Sequence, residues 1–324
     1  MPCTNPMKAW VSGKTENGKD NYHFTRPQGV AYDSHQLLPC GKCLSCQIDK
    51  SKEWATRGFH ESQTHTENSF ITLTYDEEHL PKHSTLVKKD LTNFIKLLRY
   101  YINKGRTKDD PDWIETKYLA AGEYGSKQNS HRPHYHICLF GYEPRDKQFF
   151  FSNKWGDSVY TSETISKIWK NKGYITISPL TYRTVAYTAR YTVKKIVTKE
   201  DRQQDDYWID KETGETNYNP VAYKKGLLMK NKIPEFITMS QGIGKNWHKK
   251  FAKDTHKDYI TVNYGKHKVP RYYDKLMEKE DPQRLQAIKN KRILAAIQNE
   301  KTPQKLKQEA TIKRNHVKQL NRNL

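Results

Sequence analysis

Hydrophobic and polar positions alternate in several short segments of the chain, and this alternation predicts β-strands. The segments are rich in β-branched and aromatic residues and comprise residues 70–75, 117–124, 133–141 and 174–178. The polar loop 125–132 joins the second segment to the third. We therefore expect these two strands to pair as a hairpin.

Apolar residues recur every three or four positions in other segments, a spacing typical of amphipathic helices. The predicted helices cover residues 47–64, 91–102, 162–172 and 182–197. Asp90 is the expected N-cap of the second helix, and Gly105 is its expected stop. Strands and helices alternate, so the pattern predicts an α+β fold with helices packed on an antiparallel sheet.

The flanking regions are less regular. Residues 1–66 form a predicted cysteine-rich N-terminal element, residues 67–200 the α+β core, and residues 201–324 a C-terminal extension. Residues 199–219 are polar and rich in turn formers. A basic run that begins near residue 289 predicts a helical or partly disordered tail.

Charge is the compositional feature that changes this picture. The chain has 57 Lys+Arg against 36 Asp+Glu, a formal net charge of +21. Such a field favours a polyanionic partner, above all nucleic acid, and the interleaved aromatic residues suit stacking on unpaired bases. The alternative is a charge that only keeps the protein in solution. No apolar run approaches the roughly 20 residues of a membrane span, so no membrane partner is expected.

Three of the five cysteines lie close together, at Cys40, Cys43 and Cys46. This crowding is unlike a disulfide framework and indicates a metal site in a reducing, intracellular environment. Cys3 is the candidate fourth thiolate. Zinc is the preferred ion, because a loop-rich terminus often depends on a structural metal. An iron–sulfur cluster is the alternative.

His134 and His136 are two positions apart on a predicted strand, so their side chains point to one face, with Tyr135 on the other. A hairpin register that sets Glu123 opposite His134 adds a carboxylate to that face. Two imidazoles and one carboxylate leave open positions for phosphate oxygens and water, which suits Mg²⁺ or Mn²⁺ at a nuclease. The alternative is a buried histidine pair satisfied by hydrogen bonds.

Tyr187 and Tyr191 are one turn apart on the predicted helix 182–197. The aliphatic stripe of that helix comprises Val185, Ala189, Val193 and Ile196. Both tyrosines lie nearly opposite this stripe, so packing in the core does not account for them. A phenol with a pKa of about 10 is a poor nucleophile, and Lys194, with Arg183 or Arg190, is placed to assist it. The alternative is that both rings pack against a neighbouring layer.

Taken in order, several of these segments resemble the motifs of two-tyrosine HUH endonucleases, which initiate rolling-circle replication. The matching segments are residues 70–75 (FITLTY), 122–125 (GEYG), 132–136 (RPHYH) and 187–195 (YTARYTVKK). Over residues 3–276 the chain is most similar to the replication initiators of gokushovirus-type microviruses. That group also shares residues 39–46 (PCGKCLSC), 54–57 (WATR), 241–247 (QGIGKNW) and 269–275 (VPRYYDK). Tyr135 stands where many relatives carry an aliphatic residue.

The resemblance implies an HUH-type central antiparallel sheet with the histidine strand in its middle and the tyrosine helix packed against it. It implies Mg²⁺ or Mn²⁺ held by His134, His136 and Glu123. One tyrosine then nicks DNA and leaves a 5′-phosphotyrosine and a free 3′-OH, and the second cuts after a full genome has been copied, so that the released strand is closed. Basic residues in or near the motifs are the expected DNA contacts: Arg132, Arg183, Arg190 and Lys195.

The implied partners are single-stranded DNA at a phage replication origin and the host helicase and polymerase, in the host bacterial cytoplasm. One alternative is a transposase or plasmid relaxase of the same superfamily, although the sequence contains no Gly-x-x-x-x-Gly-Lys-Ser/Thr loop of a fused helicase. The other is a zinc-stabilised single-stranded-DNA-binding protein without catalysis. A covalent protein–DNA adduct distinguishes the nucleases from this second alternative.

Overall fold

The computed structural model describes residues 3–16, 18, 20–125, 132–190, 207–209, 216–218, 232–262, 265–298 and 301–320. The strands are β1 (Met7–Lys14), β2 (Asp20–His23), β3 (Gln36–Leu38), β4 (Asn68–Thr74), β5 (Lys117–Tyr124), β6 (Pro133–Phe140), β7 (Gln148–Ser152), β8 (Ser158–Thr161), β9 (Ile175–Pro179), β10 (Tyr207–Ile209), β11 (Thr216–Tyr218), β12 (Phe236–Met239), β13 (Tyr259–Val262) and β14 (Gly265–Lys268). The helices are α1 (Leu44–Ser62), α2 (Lys88–Ile102), α3 (Glu163–Ile168), α4 (Tyr182–Ala189), α5 (Lys245–Phe251), α6 (Arg271–Glu280), α7 (Pro282–Gln298) and α8 (Pro303–Leu320). None of the helices in these ranges is long and apolar enough to cross a membrane.

Seven strands form one sheet in the order β12-β5-β6-β4-β9-β8-β7. Every neighbouring pair in it is antiparallel. The predicted α+β fold with helices on an antiparallel sheet is therefore confirmed. The histidine strand β6 lies inside the sheet, paired with β5 on one side and with β4 on the other. Because a slip of β6 would break both ladders, its register is firmly set.

Helices cover both faces of this sheet. Against one face pack α2 and α3, and the predicted inner stripe of α2 is buried there: Leu91, Phe94, Ile95, Leu98 and Ile102. On the other face Val185 of α4 packs with Cys138 and Phe140 of β6, and Trp54 of α1 joins them. Cys138 follows His134 and His136 at the same two-residue spacing in β6, so this second face is also the face of the candidate site.

The chain forms two compact units, Met1–Lys50 with Asp281–Leu324, and Ser51–Glu280. The first contains a three-stranded sheet in the order β2-β1-β3, and α7 and α8, which make its basic tail helical where it is described. The expectation of an irregular N-terminal element is wrong for β1 to β3. These strands are short and mostly exposed, so they carry little hydrophobic alternation. The second unit contains the seven-stranded sheet.

The predicted N-cap of α2 is wrong. The helix follows Val87, and no side chain caps it. The Asp90 carboxylate instead accepts a hydrogen bond from the Tyr75 hydroxyl at 2.8 Å and pairs with Lys172 at 2.8 Å. The carboxylate that the sequence pattern assigns to the helix cap therefore binds Tyr75 and Lys172.

Two predicted segments are described only in part. Helix α4 is described as far as Ala189, and the remainder of the predicted helix 182–197 lies outside the described residues, apart from the C-cap Arg190. The polar stretch 199–219 is described only at β10 and β11, which pair as an antiparallel hairpin.

Candidate active site

Glu123, His134 and His136 come from the adjacent strands β5 and β6. The ladder pairs Glu123 with His134 and Ala121 with His136, which confirms the predicted hairpin register. Because side chains alternate along a strand, the carboxylate and both imidazoles share the sheet face that α4 covers. Tyr135 lies on the opposite face, in the core beneath α2.

The Glu123 carboxylate is the centre of the site. Its Oε1 lies 2.6 Å from His134 Nε2 and 2.7 Å from His136 Nε2. The same oxygen accepts a hydrogen bond from the Tyr187 hydroxyl at 2.7 Å. Glu123 is only 3% exposed. The structure thus brings together four residues that the sequence places in three separate motifs.

Hydrogen bonds fix the far sides of both imidazoles. His134 Nδ1 lies 3.0 Å from the Arg132 carbonyl oxygen, and His136 Nδ1 lies 3.1 Å from Thr72 Oγ1. Because a carbonyl only accepts, the proton of a neutral His134 sits on Nδ1, and the Nε2 lone pair points into the site. Metal-ligating histidines are held by outer partners in this way.

The donor atoms of this cluster fit a divalent cation. One carboxylate oxygen of Glu123 and one nitrogen of each histidine lie within 4.8 Å of one another. With its proton on Nδ1, His134 aims a lone pair at a carboxylate oxygen 2.6 Å away. A second ring proton or a cation between the two atoms relieves that repulsion. The three residues are therefore a candidate metal site, and three ligands leave coordination positions open.

The carboxyl and the phenol have pKa values shifted in opposite directions. Burial alone raises the pKa of Glu123, but hydrogen bonds and charge from His134 and His136 outweigh it, so the pKa is lowered. The pKa of Tyr187 is raised, first by burial and then by the charge of Glu123 and the hydrogen bond to it. Arg190 opposes this shift, with its guanidinium 5.1 Å from the Tyr187 ring centroid. Tyr187 is thus a neutral phenol, and its ionisation requires additional positive charge.

Helix α4 carries Tyr187 to this centre. Thr181 and Thr184 form a capping box at its start, which fixes where the helix begins. The buried residues of α4 are Val185, Thr188 and Ala189. Tyr187 is not part of this stripe, as the helical pattern predicts, and its ring meets His136 edge-on at 5.0 Å. Tyr191, Lys194 and Lys195 lie outside the described residues.

The three predicted DNA-contacting arginines in the described ranges have protein neighbours. Arg132 pairs with Glu77, and Arg183 pairs with Asp157. Arg190 stacks on the tyrosine ring described above. Arg132 also has a backbone role, because its carbonyl oxygen orients His134. Contact of these arginines with DNA stays a prediction.

Sequence analysis overlooked Thr72, the hydroxyl that orients His136. A usable signal was present, since alternation in β4 places Phe70 and Thr72 on one face, and the ladder sets Thr72 directly opposite His136. The Phe70 ring also stacks on His136, with centroids 5.4 Å apart and an angle of 8° between the planes. These two side chains of β4 hold the second histidine in place.

A separate thiol cluster lies in the first unit. Cys3 Sγ is 3.7 Å from Cys40 Sγ and 3.8 Å from Cys43 Sγ. These three sulfurs and the sulfur of Cys46 lie within 4.8 Å of one another, and none is in a disulfide. Burial raises the pKa of Cys43, but hydrogen bonds from the backbone of Cys46 and from Thr4 outweigh burial and lower the pKa to about 6. The structure therefore brings the predicted fourth ligand, Cys3, to the other three.

The fold and the site together define an α+β protein with a candidate metal centre beside a tyrosine on a helix. Comparison with known proteins gives its family. Residues 68–196 match the family model described as replication-associated protein ORF2/G2P. Replication-associated protein ORF2 of Spiroplasma virus 4 is 35% identical over 312 residues, 90% of this chain and 86% of that protein. Replication-associated protein VP4 of Bdellovibrio phage phiMH2K is 32% identical over 294 residues, 88% of this chain and 79% of that protein. The chain belongs to this family of phage replication-associated proteins.

A third relative, replication-associated protein ORF4 of Chlamydia phage 1, is 34% identical over 164 residues, 49% of this chain and 39% of that protein. The expected kinship with microvirus-type replication initiators is thereby confirmed. The region matched by the family model contains Glu123, both histidines and Tyr187. No solved structure matches the chain.

Proposed function

We propose that this protein starts rolling-circle replication by nicking DNA with a tyrosine and later rejoining the strands, as HUH endonucleases do. The observation that carries the proposal is the convergence of two imidazoles and the Tyr187 hydroxyl on one oxygen of Glu123. A nucleophile beside a candidate metal site is the arrangement that metal-assisted phosphoryl transfer requires. Membership of a replication-associated family supports the same role.

His134, His136 and Glu123 would hold Mg²⁺ or Mn²⁺, which accept carboxylate and imidazole ligands together with water. When bound, such an ion supplies Lewis-acid polarisation of a phosphate oxygen. The fit rests on this chain's own residues, since Thr72 and the Arg132 carbonyl aim both Nε2 atoms at the carboxylate.

In the proposed reaction the Tyr187 oxygen attacks the scissile phosphorus, and the bond from phosphorus to the 3′ oxygen breaks. The phenol loses its proton to water, and the departing 3′ oxygen takes one up to become a 3′-OH. The 5′-phosphotyrosine link keeps the energy of the phosphodiester, so joining needs no ATP. Tyr191 is the second nucleophile in this scheme, and either tyrosine can make the first cut. Lys194 and Arg190 offset the negative charge that develops on the attacking phenol.

The proposed partner is single-stranded DNA at a phage replication origin. A net charge of +21 supports a nucleic acid partner, with Arg132, Arg183, Arg190 and Lys195 as the proposed contacts. The free 3′-OH would be extended by the host polymerase behind the host helicase, in the bacterial cytoplasm. The names of the relatives, which are replication-associated proteins of bacterial viruses, support this setting.

Zinc is the ion proposed for the four cysteines. A tetrahedral zinc with Zn–S bonds of about 2.3 Å separates its sulfurs by about 3.8 Å. The sulfur of Cys3 lies 3.7 and 3.8 Å from those of Cys40 and Cys43. An iron–sulfur cluster spreads its thiolates around several iron atoms, so sulfurs this close favour a single ion. Four thiolates leave no open position, so the proposed role of the ion is structural.

The proposed function is tested with labelled single-stranded origin DNA and Mn²⁺, followed by denaturing electrophoresis. The wild-type protein should leave a covalent adduct. Tyr187→Phe and Tyr191→Phe should each still nick but fail to circularise, and the double variant should form no adduct. Phe keeps the ring and removes only the hydroxyl, so a loss of chemistry without a loss of stability assigns the role to the phenol.

His136→Ala is the matched test of the metal site. It should abolish the adduct and leave DNA affinity largely intact, because the positive surface supplies most of the binding energy. A single essential tyrosine would favour a relaxase or transposase. A wild-type protein that binds DNA and leaves no adduct would be the non-catalytic binding protein, and the proposal would be wrong.

A further inference from the structure

The hairpin of β7 and β8 exposes an unusual number of aromatic side chains. Phe149 and Phe150 are each 62% exposed, Phe151 is 44% exposed and Trp155 is 54% exposed. Every residue of β7 is exposed, and β7 is an edge strand of the central sheet. Contiguous aromatic groups in water are costly, and on an edge strand they mark a binding surface. We call these four residues, with Lys154 and Arg183, the hairpin surface.

The turn that carries Trp155 is held by its own hydrogen bonds. The Asn153 side-chain oxygen accepts from the backbone N–H of Trp155 at 2.9 Å and of Asp157 at 3.0 Å. The Asn153 amide donates to the Asp157 carboxylate at 3.0 Å, and the Asn153 backbone N–H donates to the Asp157 carbonyl at 2.9 Å. Trp155 is therefore presented on a preorganised turn, which reduces the entropy lost when a partner binds.

The same turn is tied to the helix of the proposed nucleophile. The Arg183 guanidinium pairs with Asp157 and lies 4.7 Å from the Trp155 ring centroid. Arg183 and Tyr187 are four residues apart on α4, so they share a helix face about 6 Å apart along the axis. Trp155 is thus linked through Arg183 to a position one helical turn before Tyr187 on α4.

We propose that the hairpin surface is a subsite for single-stranded DNA, in which a base close to the scissile phosphate stacks on Trp155. The inference rests on the proposed nicking function and adds the residues that grip the strand beside the site. Lys154, whose ammonium lies 4.5 Å from the Trp155 ring centroid, and Arg183 supply positive charge for the flanking phosphates. That charge disfavours a second copy of this basic chain as the occupant.

The test is fluorescence anisotropy of a labelled oligothymidylate, measured without added Mg²⁺ or Mn²⁺ so that no cleavage occurs and the zinc proposed for the thiol cluster is kept. Trp155→Ala should weaken binding about ten-fold, because one base–aromatic stack is lost. Trp155→Phe should retain most of the affinity, since it keeps a ring. Tyr100→Ala is the matched control, because Tyr100 is 66% exposed on α2, on the other face of the sheet, and its removal should leave affinity unchanged.

Salt dependence separates stacking from charge. Trp155→Ala should leave the slope of log affinity against log salt unchanged, whereas Lys154→Ala should make it shallower by about one phosphate contact. The inference is overturned if Trp155→Ala binds as tightly as Tyr100→Ala. It is also overturned if Trp155→Ala only converts a dimer to a monomer in sedimentation, which would make the surface a protein interface. Failure of the proposed nicking function is a different result, namely no covalent adduct from wild type with Mn²⁺, and it leaves these affinities measurable.

Discussion

Gly58 of α1 is the position where a single methyl group should test how the site is built. A Cβ placed there would lie 2.5 Å from Val185 Cγ1, and 3.7 Å from both Leu119 Cδ2 and Phe140 Cζ. Carbon atoms in ordinary contact are about 3.5–4.0 Å apart. Gly58→Ala therefore overlaps Val185 by about 1 Å and leaves the other two contacts ordinary. The perturbation acts on one neighbour, and that neighbour belongs to α4.

The expected effect on stability is small, and the expected effect on activity is large. Overpacking a core costs about 1–3 kcal/mol, and alanine in place of glycine inside a helix returns about 1 kcal/mol. Val185 is fully buried and β-branched, so it has little rotamer freedom in a helix. We therefore expect α4 to move. A displacement near 1 Å at a reacting group costs on the order of 100-fold in rate, and α4 carries Tyr187, now 2.7 Å from Glu123.

The assay is single-turnover formation of the covalent DNA adduct, with thermal unfolding measured in parallel. Gly58→Ala should lower the rate about 100-fold and shift the melting temperature only slightly. Val185→Ala removes the clashing methyl, so the double variant should recover much of the rate. A wild-type rate in Gly58→Ala would refute the reasoning. The reasoning would also be refuted if the rate of the double variant equalled the product of the two single-variant effects, because residues in contact should show coupled effects.

Three further predictions concern stability. Tyr135→Phe removes a hydroxyl bonded to the Val87 N–H and carbonyl and should cost about 1–3 kcal/mol in unfolding free energy, with adduct formation retained; an unchanged melting temperature would contradict this. Cys43→Ser should release zinc and lower the melting temperature, whereas Cys138→Ala, outside the thiol cluster, should keep the metal. Burial raises the pKa of Glu61, but the hydrogen bonds to its carboxylate outweigh burial and lower the pKa. The ionised carboxylate therefore stabilises the fold fully above about pH 4.3, and this stabilisation is lost as the pH falls. Glu61→Gln should therefore destabilise the protein by about 3–5 kcal/mol at pH 7, and the difference from wild type should shrink in acid.

The register of the β5–β6 hairpin could be predicted because strand alternation leaves few choices. Setting Glu123 opposite His134 puts the carboxylate and both imidazoles on one face, and a slip by one residue reverses that. The inner stripe of α2 was predictable for the same reason, since its apolar residues recur at helical spacing. In α2 the sequence pattern records burial on one side, whereas β6 is buried on both faces and there the polar residues identify the face of the site.

Other parts of the structure carry no such pattern. Strand β12 is four residues long and joins the sheet edge beside β5 from far along the chain, so its pairing depends on tertiary contact. Strand β7 is exposed along its whole length, so nothing alternates. Cys3 lies 37 positions before Cys40, and its approach to the other thiols depends on how β1 to β3 fold. The role proposed for Trp155 has no counterpart in the sequence pattern, because exposure on a turn leaves no periodic signal.

The two faces of β6 explain how the histidine strand keeps its orientation. Tyr135 lies between His134 and His136 and is fully buried on the back of the sheet, where its hydroxyl also lies 2.9 Å from that of Tyr75. Because side chains alternate, anchoring Tyr135 sets the roll of the strand and hence the direction in which both histidines point. An aliphatic residue at this position sets the roll by packing alone, and the tyrosine adds hydrogen bonds to the same support. Tyr135 therefore adds to the support of both histidines, and we expect the two imidazoles to keep their directions whether or not a cation is bound.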